Sequence, residues 1–268
     1  MSTKYQEKIY SDDNTQWHWV NSKKGKYLQA NSLRERGFSH GFFTNEWSTN
    51  SPKQISNYLN PYHSVHLCTQ VHSSKIIEAS KAIESIPPEA DGLISNRGNQ
   101  GLWIYTADCV PVLFADPVNS IICASHAGWK GLAENILSKA IIRLEKSGAD
   151  KHELIIAIGP CISMKNYQVD FELIDYLYNS ICVEDTNNII MSKDKISILA
   201  ESGAISYDIN PNKFLLNIRI AAANQLYQAG IKKKQLSISN LCTFDNQDLF
   251  NSWRRTKTKA IQWSTIAN

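Results

Sequence analysis

Three nearly continuous apolar runs lie close together in the middle of the chain, at residues 102–107, 110–116 and 120–127. Apolar runs without polar alternation are typical of strands that are buried on both faces. The sequence Asp-Pro-Val-Asn at 116–119 offers a tight connection between the second and third runs, which predicts a hairpin. The centre of the chain is therefore expected to form a buried β-sheet.

The flanking segments predict the elements that surround this sheet. Helical spacing of apolar residues predicts one helix from Leu132 to Gly148, a second over 170–181 and a third that opens at Asn210-Pro211 and closes at Gly230. Residues 44–63, rich in Asn, Ser and Pro, predict a loop. Further short strands are expected at residues 38–43, 64–71, 75–79, 91–95, 153–159, 235–239 and 259–266. Because strands and helices alternate only partly, we expect one mixed α/β domain and not a doubly wound parallel fold.

The composition fits a globular protein and argues against several classes of function. The chain has 268 residues, 43% hydrophobic and 20% charged, which is enough to bury a full core. The formal charge is +3 and the densest basic run, Lys232–Lys234, is interpreted as a solvated loop, so no nucleic-acid partner is expected. No stretch resembles a signal peptide or a membrane span. The six cysteines form no CxxC pair, as expected for a cytoplasmic protein.

Three residues stand out by position as candidate metal ligands. His72, Cys109 and His126 each lie where a predicted strand gives way to a turn, so their side chains could converge on one cleft. Two imidazoles and a thiolate are good zinc ligands, and three protein ligands leave a fourth position open, as in catalytic zinc sites. The spacing carries no local metal signature, however. A buried structural cysteine and hydrogen-bonded structural histidines are the alternative at each position.

Two aspartates have ambiguous positions near these candidates. Asp108 precedes Cys109 and is consistent either with orienting a ligand histidine or with capping a turn. The Asp91-Gly92 pair has the same two interpretations, and the turn is the better prediction there.

Two basic segments are candidates for binding an anion. In "HAGWKG" the glycines permit close backbone approach, the following helix would present free N–H groups, and Lys130 adds a positive charge. In "SWRR", Arg254 and Arg255 are suited to bidentate phosphate recognition. A strand-to-helix corner without a ligand and a surface pair of arginines are the alternatives.

The chain resembles a known family across many short blocks. In order along the sequence these are "TQVHSSKI", "ADGLIS", "TADCVPVLFADP", "SHAGWKG", "IGPCIS", "YQVDFEL", "NLCTF" and "NSWRR". Together they are similar to the YfiH family, also called the laccase-domain, polyphenol oxidase or purine nucleoside phosphorylase family. The resemblance covers roughly residues 37–266.

The resemblance implies a fold, a metal site and an activity. The fold would be a single α/β (α+β) domain over 37–268, with layered mixed sheets flanked by helices, preceded by a polar N-terminal extension at 1–36. The ligands of a zinc ion would be His72, Cys109 and His126. The reactions would be phosphorolysis of adenosine, inosine and 5′-methylthioadenosine, and deamination of adenosine. Purine nucleosides and phosphate would then be the partners, with no membrane involved.

One segment departs from the family pattern. Family members usually carry an arginine and a glycine pair after the first strand, whereas this chain reads "HGFFTNEWSTN", with Asn45 at the arginine position. If that arginine binds phosphate, phosphorolysis is the activity that the change affects. Three other hypotheses stay open: a copper-dependent polyphenol oxidase, a metal-free hydrolase with Cys109 as nucleophile and a histidine as base, and a degenerate member without activity.

Overall fold

The protein folds as a single mixed α/β domain with three β-sheets. The computed structural model describes residues 15–59, 63–83, 85–181 and 192–268. No helix among these residues is long and apolar enough to cross a membrane. The expected fold class, a mixed α/β domain with layered sheets and helices, is confirmed.

The first sheet has six strands, and all neighbours are antiparallel except β4 and β7 at one edge. In spatial order the strands are β1 (Trp17–Asn21), β2 (Lys26–Ala30), β3 (Ser39–Phe43), β15 (Gln262–Ala267), β7 (Gln100–Thr106) and β4 (Ser64–Leu67).

The second sheet also has six strands and contains the predicted central hairpin. In spatial order these are β14 (Leu236–Ile238), β10 (Ile155–Ile158), β8 (Val110–Asp116), β9 (Ile121–Ala127), β6 (Gly92–Ile94) and β5 (Ile76–Glu78). In the turn of the β8–β9 hairpin, the Asp116 carboxylate accepts hydrogen bonds from the Val118 backbone N–H and the Asn119 side-chain amide, both at 2.9 Å. The hairpin prediction is confirmed.

A small third sheet and the helices complete the domain. The third sheet is antiparallel, in the order β11 (Gln168–Asp170), β13 (Lys213–Leu216) and β12 (Ile205–Tyr207). The helices are α1 (Asn31–Arg34), α2 (Pro52–Leu59), α3 (Trp129–Ala133), α4 (Ile136–Lys146), α5 (Phe171–Ile181), α6 (Ser192–Glu201), α7 (Ile218–Gln228) and α8 (Trp253–Thr256).

The second sheet lies between the first sheet and the helices. Leu113 and Ala115 of β8 pack in a core cluster with Leu102 of the first sheet. Val112 and Phe114, on the opposite face of β8, pack in a second cluster with the apolar residues of α4 and α7. Because both faces of β8 and β9 are covered, these strands need no polar alternation, which is the feature that the sequence displays.

The polar N-terminal segment contains regular secondary structure among the described residues. From Trp17 onward the chain forms β1, β2 and α1, and it pairs with β3 in the first sheet. Trp17, Leu28 and Leu33 are buried in the same core cluster as β15 and β7. The burial of these three apolar side chains, on β1, β2 and α1, holds this segment against the sheet. Residues 1–14 lie outside the described residues.

The loop prediction for residues 44–63 is also wrong, because α2 lies within it. Ser51 and Gln54 form a reciprocal capping pair: the Ser51 backbone N–H donates to Gln54 Oε1 (2.9 Å), and the Gln54 N–H donates to Ser51 Oγ (3.3 Å). Pro52 occupies the first helical position, where it is tolerated. Ile55 is buried in a cluster with Trp47, which attaches the helix to the first sheet.

Two helices begin at places other than those predicted. The first predicted helix is interrupted at Asn135, whose left-handed backbone (φ 64°) separates α3 from α4. The third does not open at Asn210-Pro211, which instead forms a turn before β13. Helix α7 starts after Asn217, whose side chain caps it by accepting from the Ile220 N–H (3.2 Å). Phe214 therefore belongs to a strand, β13, which pairs with β11 and β12.

Candidate metal centre

Three side chains from separate parts of the chain converge at one edge of the second sheet. His72 lies in the loop between β4 and β5, Cys109 in the β7–β8 turn, and His126 near the end of β9. Their donor atoms all lie within 4.8 Å of one another, and Cys109 Sγ is 3.9 Å from His72 Nε2. Donor atoms bound tetrahedrally to one zinc ion lie roughly 3.5 Å apart. The chemistry and spacing of this donor set therefore fit a zinc-type ion with little rearrangement.

Asp91 holds two of these three residues in place. Its Oδ1 accepts from His126 Nδ1 (2.8 Å) and from the backbone N–H of His72 (3.0 Å). Its Oδ2 accepts from the N–H groups of Val71 (3.2 Å) and Ser73 (2.7 Å). A carboxylate on Nδ1 fixes the tautomer, so that Nε2 of His126 faces the cluster. The turn interpretation of Asp91 is corrected: it orients a candidate ligand.

Asp108, in contrast, anchors the turn that carries Cys109. Its carboxylate accepts from Thr243 Oγ1 (2.6 Å), Ser252 Oγ (3.1 Å) and the backbone N–H of Arg254 (2.7 Å). Its own backbone has a positive φ of 91°. The turn at Asp108-Cys109 is thereby joined to α8, and the capping interpretation is the one that the contacts support.

Contacts within the cluster shift the pKa values of Cys109 and His126. Burial raises the pKa of the Cys109 thiol, but the neighbouring imidazoles of His126 and His72 outweigh it and lower the pKa to about 6. Burial lowers the pKa of His126, but Cys109 and Asp91 outweigh it and raise the pKa to about 9. Cys109 is therefore a thiolate at neutral pH, the form that binds metals.

Gly128 leaves the space that the cluster needs. A Cβ at this position would lie 2.9 Å from His72 Cδ2 and 3.1 Å from Cys109 Sγ. Its φ is −76°, so the need for glycine here comes from close packing and not from backbone conformation. The helix that follows, α3, has only five residues. Lys130 on this helix is exposed, with its Nζ 5.6 Å from the Trp129 ring.

A cavity of about 520 Å³ is lined by Trp129, Tyr167 and Arg254, among other residues. Trp129 follows Gly128 directly, and the backbone of Arg254 is bound to Asp108. The Arg254 guanidinium lies 5.0 Å from the centroid of the Tyr167 ring, and its Nη1 donates to the Gln168 carbonyl (3.2 Å). Lys130 is not among the lining residues.

The side chains of Arg255 and Asn45 both donate hydrogen bonds to the backbone of the loop before α8. Arg255 donates from Nη1 to the carbonyls of Thr243 (2.8 Å) and Phe244 (2.7 Å), and from Nη2 to that of Phe250 (2.8 Å). The Asn45 side chain donates to the Gln247 carbonyl (3.0 Å). Arg255 thus uses its guanidinium on backbone carbonyls, and its contacts are structural.

For Asp91 the sequence favoured a turn over the orientation of a ligand histidine, and one further signal would have indicated the second role. Gly92 of β6 pairs with Ser125 of β9 in antiparallel register, so the preceding Asp91 faces His126. The backbone N–H of His126 also donates to the Asp91 carbonyl (2.8 Å). Predicting that β6 pairs with β9 would have placed the carboxylate beside the imidazole.

The fold and the site together define a mixed α/β domain with a candidate metal site of two imidazoles and a thiolate at one sheet edge. A family model described as "Multi-copper polyphenol oxidoreductase laccase" matches residues 48–267. The chain is 32% identical over 259 residues to a protein named "Purine nucleoside phosphorylase slr1573" from Synechocystis sp., covering 94% of this chain and 97% of that protein. It is also 32% identical over 206 residues to "Purine nucleoside phosphorylase RC0672" from Rickettsia conorii, covering 76% and 75%.

Solved structures share the fold. The YfiH protein of Bacillus licheniformis matches with a TM-score of 0.76 and 24% identity, covering 93% of this chain and 98% of that one. YlmD from Geobacillus stearothermophilus matches with a TM-score of 0.77 and 21% identity over the same shares. The chain belongs to the laccase-domain family, which includes relatives named purine nucleoside phosphorylase.

Proposed function

We propose that the protein is a zinc-dependent purine nucleoside enzyme. It would phosphorolyse adenosine, inosine and 5′-methylthioadenosine to the free base and the (methylthio)ribose 1-phosphate, and deaminate adenosine to inosine. The observation that carries this proposal is the convergence of His72, Cys109 and His126 in a chain that matches named purine nucleoside phosphorylases over most of its length. The five cysteines that the structure describes are free, which suits the cytoplasm.

The candidate ligands would hold the ion through Nε2 of His126, Sγ of Cys109 and a ring nitrogen of His72. When bound there, zinc supplies a Lewis acid with one open position. Asp91 keeps His126 in the tautomer that presents Nε2, and it fixes the backbone of His72. Gly128 allows the following helix to approach without displacing either ligand.

The cavity residues would bind the reacting groups. Arg254 presents a guanidinium that no carboxylate neutralises among the described residues, which suits phosphate. Burial raises the pKa of the Tyr167 hydroxyl and the nearby Cys109 charge adds to this, so the group stays protonated and can donate a hydrogen bond. Lys130 adds charge from outside the cavity. The proposed phosphate site therefore rests on Arg254 and Lys130, with Arg255 positioning the loop.

The purified protein is expected to convert adenosine to adenine only when phosphate is present, and to form inosine without it. Chromatography of the products after incubation with and without phosphate measures both reactions. Inosine and 5′-methylthioadenosine should give their bases in the same phosphate-dependent way. If neither free base nor inosine forms from adenosine, the proposal is wrong and the non-enzymatic alternative gains support.

Removing divalent metal is expected to abolish activity, and adding zinc should restore it. We expect this because the proposed reactions depend on an ion held by the three candidate ligands, whose donor atoms lie close together. Dialysis against a chelator, followed by assays with zinc or copper, measures this. Activity that survives chelation but is lost to a thiol reagent would favour Cys109 as a nucleophile in a metal-free reaction.

The histidine contacts argue against the copper oxidase alternative. Of the seven histidines, only His72 and His126 belong to the metal-binding group found among the described residues. Both ring nitrogens of His40 are bound to the backbone, through the Phe38 carbonyl and the Ala30 N–H, both at 2.9 Å. His66 is likewise engaged by Ser64 Oγ and the Ala82 carbonyl. One three-residue set cannot supply the several centres of a multicopper oxidase.

A further inference from the structure

The cavity lined by Trp129, Tyr167 and Arg254 has aromatic walls. Its four aromatic lining residues are Trp129, Tyr167, Tyr176 and Trp253. Tyr176 is 68% exposed and Trp253 is 50% exposed, so large ring surfaces are left open to a ligand. Flat aromatic faces bind planar heteroaromatic rings by stacking, with little dependence on the ring's identity. The walls therefore suit a purine base.

The same cavity holds two cations that are not neutralised by carboxylates. Arg254 lies over the Tyr167 ring at 5.0 Å, and the Lys257 ammonium lies over the Trp253 ring at 4.0 Å. Neither forms an ion pair among the described residues, whereas Lys213, which also lines the cavity, is paired with Asp170.

One further acidic side chain, that of Glu172, lines the cavity, so the unpaired lining charges are two positive and one negative. The cations are held by rings on the wall and remain available to an anion. The cavity thus combines a surface for a base with a site for a phosphate.

We propose that this cavity binds purine nucleoside 5′-monophosphates, with the base against the aromatic walls and the phosphate at Arg254 and Lys257, and that it binds them more tightly than the nucleosides. The choice of a purine rests on the proposed function. A nucleotide carries in one molecule the two groups that a phosphorylase binds separately, so the second contact becomes intramolecular. A cavity of about 520 Å³ is within the range of small-molecule sites.

Isothermal titration of the metal-loaded protein with adenosine 5′-monophosphate and with adenosine tests this. The nucleotide is expected to bind about tenfold more tightly than adenosine, the effect of one added charge-assisted contact. This preference should shrink as salt is raised, because the Lys257 ammonium is exposed and its field is screened. Adding free phosphate should weaken nucleotide binding more than adenosine binding, since only the nucleotide competes for the cations.

Lys257→Asn is the decisive variant, and Lys259→Asn is its matched control. Lys257 has a left-handed backbone (φ 56°), which asparagine tolerates, so the change removes the charge without straining the turn. Lys259 is also exposed but does not line the cavity. We expect Lys257→Asn to weaken nucleotide binding about fivefold to tenfold and adenosine binding less than twofold, the pattern of one lost charged contact. Lys259→Asn should change neither.

Two results would overturn the inference: equal affinities for nucleotide and nucleoside, or equal weakening of nucleotide binding by both lysine variants. The binding assay separates this inference from the proposed function. If the protein phosphorolyses nucleosides but binds the nucleotide no more tightly than the nucleoside, only this inference is wrong. A nucleotide preference in a protein that cleaves no nucleoside removes the proposed phosphorylase and leaves the binding site. Thermal midpoints of both variants should match that of the unmodified protein, because both lysines are exposed.

Discussion

Replacing Cys109 by alanine is expected to remove the metal and to lower purine nucleoside turnover by at least about 10³-fold, the scale of several kcal/mol of transition-state stabilisation. The thiolate is the one anionic donor in the cluster, and two imidazoles alone leave a site of lower charge and coordination. Metal content by elemental analysis and turnover by chromatography measure the two effects on the same sample.

Cys123→Ala is the matched control. Cys123 is a fully buried cysteine in β9, three residues before His126 in the sequence, and it belongs to the apolar core and not to the cluster. It should lose roughly 1–2 kcal/mol of stability from the small cavity, while metal content and activity stay near those of the unmodified protein. If Cys109→Ala keeps its metal, or if both variants lose activity equally, Cys109 is not the ligand proposed here.

The strands of the core were predictable because burial on both faces leaves a direct mark on the sequence. Residues 110–116 of β8 are all buried, and the run is apolar with Asp116 only at its end. Asp116 marks the turn because its carboxylate bonds the turn's own N–H groups. In such segments local pattern and tertiary environment agree, and the fold class follows from them.

Segments that depend on one buried residue and a cap were harder to predict. Helix α2 is short and mostly polar. Its Asn- and Ser-rich composition favours a loop, whereas the Ser51–Gln54 capping pair stabilises a helix. Residues 214–216 have apolar side chains that are consistent with either a strand or the start of a helix. Pairing of β13 with β11 and β12 decides between them, and that pairing is a long-range property.

The donor residues of the candidate metal centre were predictable, but the carboxylate that orients them was not. His72, Cys109 and His126 are chemically conspicuous at the ends of predicted strands, whereas Asp91 resembles an ordinary turn aspartate. Its role depends on the register of β6 against β9, which no local pattern reveals. The roles of the two adjacent arginines could not be predicted from the sequence either. Arg254 lines the cavity, whereas the Arg255 guanidinium donates to backbone carbonyls.

Asp91→Asn is expected to lower the affinity for the metal about 10- to 100-fold, as loss of a carboxylate that orients a ligand histidine does. Asparagine is nearly isosteric, but its neutral amide can replace only one of the two acceptor oxygens. His126 Nδ1 and three backbone N–H groups now share the two carboxylate oxygens. The variant should therefore also lose about 1.5–3 kcal/mol of stability, the worth of a hydrogen bond to a charged group.

Asp116→Asn separates the two effects. Asp116 is also fully buried, and its carboxylate accepts from the Val118 N–H and the Asn119 amide at the opposite end of β8 from Cys109. It should lose comparable stability and keep its metal affinity, because its contacts are confined to the hairpin turn. Competition with a zinc-binding dye, together with thermal unfolding, measures both quantities. Equal metal affinity in the two variants would mean that Asp91 supports the fold alone, and that His126 is held by its strand rather than by the carboxylate behind it.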